Sequence, residues 1–369
     1  MSEDNHQPVL PTVTGFAARC AIAALRRRNV PIAALLQMAG VSEGDIDNRQ
    51  NRMSALAQAK LLESAADALA DSALGLHLAK QTNPREAGLL YYVASAAENL
   101  GEALALFERY FRIVNEAVRL KLKRAPKGLV AEISFVGVSR HQVRQNADFG
   151  IAIILKALRE VAGRNIRPTK VAFAVVRHSD RREFERFYGC PVEFGAPSDQ
   201  LVFSNETLAL SLITEDRYLL ETLGPICDAA ARDRDTPKVT LRAMVENEVE
   251  RLLPHGKTEK RIVAKTLGLS ARTLSRRLAD EGTTYEEVLD QLRFSLGLQY
   301  LKDPSISLSQ IAWLLGYGGS TSFNHAFRRW TGRSPSATRR EKRHTLPTKT
   351  RLSYAQPEGS GPEKGKVRS

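Results

Sequence analysis

Cysteine is scarce in this chain of 369 residues. Cys20, Cys190 and Cys227 are three in number and lie far apart, which excludes a disulfide framework and a zinc site built on paired cysteines. A reduced cytoplasm is the expected location. Long apolar runs are missing too: the longest, Phe149 to Leu155, is far short of a membrane span. The opening residues MSEDNHQPVL are polar and acidic where a secretory leader would be basic and then apolar. Arg26-Arg27-Arg28 leads into Asn29 and Pro31, not into an unbroken apolar stretch, so neither export nor a membrane partner is expected. The chain also has no GxSxG nucleophile turn, no HExxH pair and no glycine-rich phosphate loop. His255-Gly256-Lys257-Thr258 resembles the end of such a loop, but Arg251 stands where its first glycine belongs and no strand precedes it. His77, His141 and His178 stand isolated in the sequence. No catalytic residue, metal or cofactor is expected, and the chain is not read as an enzyme.

Acidic residues are short in one region only. Residues 1–237 carry 30 Lys/Arg against 28 Asp/Glu, whereas residues 238–340 carry 17 against 10 and residues 341–369 carry 7 against 3. Most of the net charge of +13 therefore sits in the last third. A localised basic excess points to a polyanionic partner, of which nucleic acid is the commonest.

The pattern along the chain changes twice. Residues 1–11 are polar and expected to be disordered. Ala/Leu-rich helical patterns follow at about 13–28, between Pro31 and Gly40, and at about 54–70, 72–80, 87–97 and 101–117, with Tyr91 and Tyr92 read as core residues. From Val118 the period becomes two: Val118, Leu120 and Leu122 alternate with basic residues, Ala125-Pro126-Lys127-Gly128 forms a turn, and Leu129, Ala131, Ile133 and Phe135 alternate again. That is a hairpin with one buried face. A helix at about 144–162, strands at 170–176, 191–194 and 201–203, and helices at 181–188 and 215–233 complete a first α+β unit. Arg232-Asp233-Arg234-Asp235-Thr236-Pro237 reads as a linker, 239–253 as a helix, and 341–369 as a basic tail.

Between the linker and the tail one pattern occurs twice. Val263-Ala264, Leu267-Gly268-Leu269, Leu274 and Leu278 correspond to Ile311-Ala312, Leu315-Gly316-Tyr317, Phe323 and Phe327. Each copy predicts a short helix ending at glycine, a tight turn, and a second helix with apolar residues one turn apart. This is a helix-turn-helix, seen twice. Thr284 with Glu287, and Ser307 with Gln310, have capping-box spacing, so a long helix is expected over Thr284–Lys302 and a new one after Ser307. At 1.5 Å per residue the long helix spans roughly 28 Å, near the roughly 34 Å between successive major grooves on one face of DNA.

In such motifs the second helix enters the groove with its N-terminal residues at base edges. The first copy offers Arg272, Thr273, Ser275, Arg276 and Arg277. The second offers Ser320, Thr321, Asn324 and His325, with Arg328 and Arg329 placed for phosphate contacts. Arg272 and Arg276 lie one helical turn apart, and an Arg can bond guanine O6 and N7 together.

These residues, together with Gly282, Leu292-Arg293 and Gly332-Arg333-Ser334-Pro335, resemble the DNA-binding domain of the AraC/XylS family of bacterial transcription regulators. The resemblance places base-facing positions on Arg272, Thr273, Ser275, Arg276, Ser320, Thr321 and His325. The chain departs from the family at His325, where Arg is usual, and at Gly297 in the long helix, where Ala is usual. Leu74-Gly75-Leu76, Leu100-Gly101-Glu102-Ala103-Leu104 and Phe187 through Gly195 resemble the arabinose-binding type of N-terminal domain. That resemblance implies sensing of a small molecule or support of dimerisation, without fixing the ligand.

The expected fold is mainly α with a smaller α+β component: a sensing or dimerisation domain over 12–235, then an all-α domain over 236–341 with two helix-turn-helix motifs, and a disordered basic tail over 342–369. The expected function is a sequence-specific regulator of transcription, an activator, that binds double-stranded DNA, engages RNA polymerase, responds to an unknown small-molecule effector and forms a homodimer. Two other readings stand beside it: an N-terminal domain that binds only protein partners, or an enzyme carrying a DNA-binding appendage.

Overall fold

A computed structural model of the chain describes residues 11–177, 179–234 and 240–345, the last four without their side chains. The expected disordered N-terminus lies almost wholly outside these residues, as do His178, the second half of the linker from 235 and the tail from 346 onward.

The first half of the chain is helical because alanine and leucine recur there at helical spacing. Its helices are Phe16–Arg27, Ala33–Ala39, Glu43–Asp47, Ala55–Ala68, Leu74–Gln81, Leu89–Ser95 and Leu100–Tyr110. Two short strands, β1 (Thr12–Val13) and β2 (Met53–Ser54), pair antiparallel and tie the start of the chain to the fourth of these helices. Leu100–Tyr110 ends earlier than the sequence pattern suggests. A 3₁₀ turn at Phe111–Ile113 intervenes and Asn115 bridges to Val13, a contact from the far end of the unit. Tyr91 is buried as expected, whereas Tyr92 is 45% exposed.

The hairpin forms where the period changes. Strand β3 (Val118–Ala125) pairs antiparallel with β4 (Gly128–Phe135), the register running from Val118 opposite Phe135 to Ala125 opposite Gly128. β5 (Lys170–Phe173), β6 (Val192–Phe194) and β7 (Asp199–Ser204) complete a five-stranded sheet of order β3-β4-β7-β5-β6, parallel only at β5 and β6. The long helix Arg144–Val161 packs on helices Leu74–Gln81 and Ala55–Ala68 and buries Phe149, Ile154, Leu155 and Leu158 in the same core as the sheet. This helix meets Leu74–Gln81 closely at Gly75, where a Cβ would fall 2.2 Å from the carbonyl oxygen of Gln145. Helix Arg181–Tyr188 buries Phe184 and Tyr188 in the same core, whereas Arg217–Arg232 buries only Cys227.

Buried charge crosses this unit. Asp199 accepts from Arg140 Nε and Nη2 at 2.5 and 3.1 Å and from the Ala174 amide at 2.8 Å. Asp148 pairs with Arg177, whose guanidinium lies 4.5 Å from the Phe184 ring centroid. Breaking either pair would leave a charge buried without its partner, at about 3–5 kcal/mol. His77, isolated in sequence, is held between Asp71 (2.7 Å) and Glu183 (2.9 Å) and joins two helices. Burial opposes its charged form, yet the two carboxylates raise its pKa. His141 is buried, and burial pushes its pKa down to about 4.

The second core is separate and helical. It gathers Val245, Val249, Val263, Leu274, Leu278, Leu292, Leu296, Ile311, Phe323 and Phe327 from helices Leu241–Leu252, Lys260–Thr266, Ala271–Asp280, Tyr285–Leu301, Leu308–Leu314 and Ser320–Thr331. A last helix, Pro335–Thr345, continues four residues beyond the start of the expected tail. No described helix is long and apolar enough to cross a membrane.

Candidate nucleic-acid interface

The repeated pattern folds into two helix-turn-helix units of matching geometry. In the first, Lys260–Thr266 and Ala271–Asp280 join at Gly268, with φ of 70°. In the second, Leu308–Leu314 and Ser320–Thr331 join at Gly316, with φ of 71°. A left-handed residue after the first helix is what the sharp turn needs, and glycine takes it without steric cost. Gly316 is doubly constrained, since a Cβ there would fall 2.7 Å from the Leu253 carbonyl oxygen. The units differ at the start of the second helix. Ser270 caps the first by accepting from the Thr273 amide, while Gly319 precedes the second with no side-chain cap.

One helix, Tyr285–Leu301, connects the units. Thr284 and Glu287 form a reciprocal capping box at its start, and Ser307 and Gln310 form another at the next helix. Its 17 residues give a length of about 26 Å. Arg293 on this helix donates from Nε to the Leu315 carbonyl at 3.0 Å and lies over the Tyr317 ring at 4.7 Å from its centroid. It thereby clamps the second turn to the connecting helix. The first unit is tied down differently: both carboxylate oxygens of Glu281 accept from the amides of Leu241 and Arg242 at 2.7 and 3.0 Å. A carboxylate at a helix N-terminus satisfies free amides and complements the helix dipole.

The candidate DNA-contacting side chains can now be placed. Leu274 and Leu278 are buried, and at about 100° per residue the opposite side of that helix carries Arg272 and Arg276. Both are exposed and take part in no described ion pair or hydrogen bond. Arg277 is exposed but sits on the flank. Ser275 is half-buried, and the Thr273 hydroxyl lies 2.9 Å from Ser270 Oγ, within the helix cap. In the second unit Phe323 and Phe327 are buried, so Thr321, His325 and Arg328 point the other way, all three exposed. Asn324 and Ser320 are half-buried. Arg329 turns back onto the connecting helix and pairs with Asp290 at 2.6 Å, which the sequence pattern did not reveal. The exposed set combines guanidinium, hydroxyl and imidazole groups, donors and acceptors that read base edges and hold phosphates.

Contacts from the first core reach this assembly at the turn before helix Arg144–Val161. Ser139 Oγ donates to Glu246, and the Arg140 amide donates to Asn247 Oδ1 at 2.7 Å. Glu246 also receives Arg242 Nε at 2.8 Å. Farther along, Lys302 pairs with Asp67 at 2.6 Å, and the Ser179 amide donates to Asp303 at 3.3 Å. A groove of about 810 Å³ lies between the two cores, lined by Phe194, Glu250, Arg251 and the exposed Trp313 among others. No local signal in the sequence announces these pairings; Ser139 and Glu246 are 107 positions apart.

Comparison with known proteins bears on both halves. Residues 30–212 match the family described as the arabinose-binding domain of AraC transcription regulator, N-terminal, and residues 263–341 match a helix-turn-helix domain. The chain is similar to the ornithine utilization regulator of Pseudomonas aeruginosa, 30% identical over 310 residues, which cover 82% of this chain and 89% of that protein. It is also similar to the HTH-type transcriptional regulator VqsM of the same organism, 27% identical over 277 residues, covering 72% and 83%. Among solved structures, that of the transcriptional regulator CdpR from Pseudomonas aeruginosa aligns with a TM-score of 0.44 at 23% identity, covering 88% of this chain and 98% of that one.

Proposed function

Because the chain belongs to the AraC family of transcription regulators, we propose that its two helix-turn-helix units read two successive major grooves of double-stranded DNA, with residues 12–235 controlling residues 236–341. The chain is a DNA-binding transcription regulator, and the family and its relatives are regulators, not enzymes. One observation carries the two-groove reading. Two helices with outward polar faces belong to units joined by a single capped helix of about 26 Å, a length compatible with grooves roughly 34 Å apart.

Arg272 and Arg276 are assigned to base edges of the first groove, with Thr273, Ser275 and Arg277 beside them. Thr321 and His325 are assigned to the second groove, with Ser320 and Asn324 flanking and Arg328 on phosphate. Arg329 reaches phosphate only by giving up Asp290. The contacts of Ser139 and Arg140 with Glu246 and Asn247 support control by the N-terminal unit, because they couple the position of the first core to helix Leu241–Leu252. Activation is the assigned sign, RNA polymerase the partner and the cytoplasm the compartment; three unpaired cysteines suit a reducing location. Helix Arg217–Arg232 is assigned to a homodimer interface: Tyr218, Thr222, Ile226 and Ala229 are exposed along one stripe. Selection of duplexes by the full chain from a random DNA pool tests the reading. Two base-preference clusters centred about one helical turn apart are expected, with affinity falling steeply as salt rises.

A further inference from the structure

The N-terminal unit contains a cavity that its packing leaves unfilled. It has a volume of about 90 Å³ and lies between helix Arg144–Val161, the hairpin β3-β4 and the helices of the first half of the chain. Phe16, Leu90, Phe107, Phe135, Phe149 and Ile154 supply much of its wall. None of its lining residues is Asp, Glu, Lys, Arg or His.

Two features separate it from a packing defect. Gly150 borders the cavity in the interior of an 18-residue helix, and a Cβ built there would meet nothing within 4 Å. A glycine in a helix interior is less stabilising than alanine, and a methyl group at this one would enter open space. The second feature is Asn146, one turn earlier on the same helix. Its Oδ1 is buried and has no hydrogen-bond partner. Three other polar side chains of the wall have partners: Tyr91 donates to Glu160 at 2.9 Å, the Gln58 side-chain oxygen accepts from the Ala18 amide at 3.3 Å, and the Asn115 side-chain oxygen accepts from the Ala117 amide at 2.9 Å. A buried polar atom without a partner is destabilising, and a ligand carrying the complementary group would remove that cost.

We propose that this cavity binds a small, uncharged and largely apolar molecule bearing one hydroxyl group, with the hydroxyl on the Asn146 amide and the apolar body against Phe149 and its neighbours. The proposal rests on the reading of the N-terminal unit as a sensing domain and names its ligand class. A hydroxyl both donates and accepts, so it satisfies the amide in either orientation. A free amino acid does not fit. Its ammonium and carboxylate would be buried without a countercharge, which apolar surroundings penalise heavily. The ligand class therefore differs from the diamino acid in the name of the ornithine utilization regulator. The cavity also adjoins the contacts between the two cores. Phe135 of its wall carries Arg140 at 5.6 Å from the ring centroid, and the Arg140 amide holds Asn247.

The test uses the full-length protein with 4-ethylphenol, ethylbenzene and L-ornithine, following thermal stability, calorimetric binding and affinity for a duplex selected from a random pool. 4-Ethylphenol should bind and raise the melting temperature, and ethylbenzene should bind about tenfold more weakly for want of the hydrogen bond. L-Ornithine should not bind. Gly150→Leu should fill the space and abolish 4-ethylphenol binding while DNA binding is retained. Asn146→Leu should keep the cavity but erase the preference for the phenol over ethylbenzene, and it decides the matter if Gly150→Leu fails to fold. Absence of binding by either neutral probe, or 4-ethylphenol binding unchanged in Asn146→Leu, overturns the proposal. If L-ornithine binds and alters DNA affinity while the phenol does neither, the ligand class is wrong and the sensing reading stands. If the phenol binds with the expected variant pattern but leaves DNA affinity untouched, the cavity assignment stands and the sensing reading fails.

Discussion

Arg293 lies over the ring of Tyr317, 4.7 Å from its centroid, and from there its Nε donates to the Leu315 carbonyl. One side chain thus closes the turn of the second helix-turn-helix against the helix that orients both units. Removing it leaves the Leu315 carbonyl unpaired and uncovers the tyrosine. Arg293→Ala should cost roughly 1–2 kcal/mol in urea denaturation. Arg293→Lys should recover only part, because an ammonium lacks the planar fork. Full recovery by lysine would show that charge alone matters there.

Gly297 sits on the same helix, buried, with a Cβ position 3.4 Å from Leu315 Cδ1 and 3.6 Å from Phe323 Cε2. Those are side-chain tips that can move by a few tenths of an ångström. Gly297→Ala should therefore stabilise the protein by about 0.5–1 kcal/mol through helix propensity. A measured loss of stability in chemical denaturation would mean that the second unit packs too tightly on the connecting helix to admit a methyl group.

Glu250 faces the groove between the cores, and burial pushes its carboxyl up to about 7; Arg140 opposes the rise, and Asp199 and Glu246 reinforce it. A carboxyl whose folded pKa exceeds its unfolded value binds more protons when folded, so stability falls as pH rises from the unfolded pKa to about 7. Allowing for its partial solvent access, Glu250→Gln should stabilise the protein at about pH 8 by about 1–2 kcal/mol relative to the effect near pH 4. Equal effects at both ends of a denaturation series in pH would contradict this.

Helix Arg217–Arg232 fully buries only Cys227 among its residues, while Tyr218 and Ile226 are 81% and 52% exposed. If that stripe is the homodimer surface, sedimentation should show a concentration-dependent dimer for the wild-type chain and a monomer for Ile226→Arg. Identical sedimentation of the two would remove this helix from the interface.

Local chemistry explains what was legible in the sequence. Both capping boxes, the hairpin alternation and the helix-glycine-turn repeat are decided by residues within a few positions of each other, and the structure has all three. The mainly helical fold with a small sheet follows from the same signals. What the sequence concealed depends on residues far apart in the chain. Tyr92 is exposed although its neighbour Tyr91 is core, and His77 is held by Glu183, more than one hundred positions away. Within the candidate interface, the outward faces of Arg272, Arg276, Thr321 and His325 followed from the apolar spacing, because burying Leu274, Leu278, Phe323 and Phe327 leaves those side chains nowhere else to point. The Arg329 pairing with Asp290 could not be read that way, since Asp290 lies on another helix.

The central claim is that two separate helices read two separate grooves, and base selection by paired variants tests it most directly. Arg276→Ala should lose roughly 1–3 kcal/mol and relax preference at a position in one cluster only. His325→Arg should change the preferred base in the other cluster and leave the first intact. Selection of a single cluster by the wild-type chain, or the same positions shifting in both variants, would contradict the two-groove account.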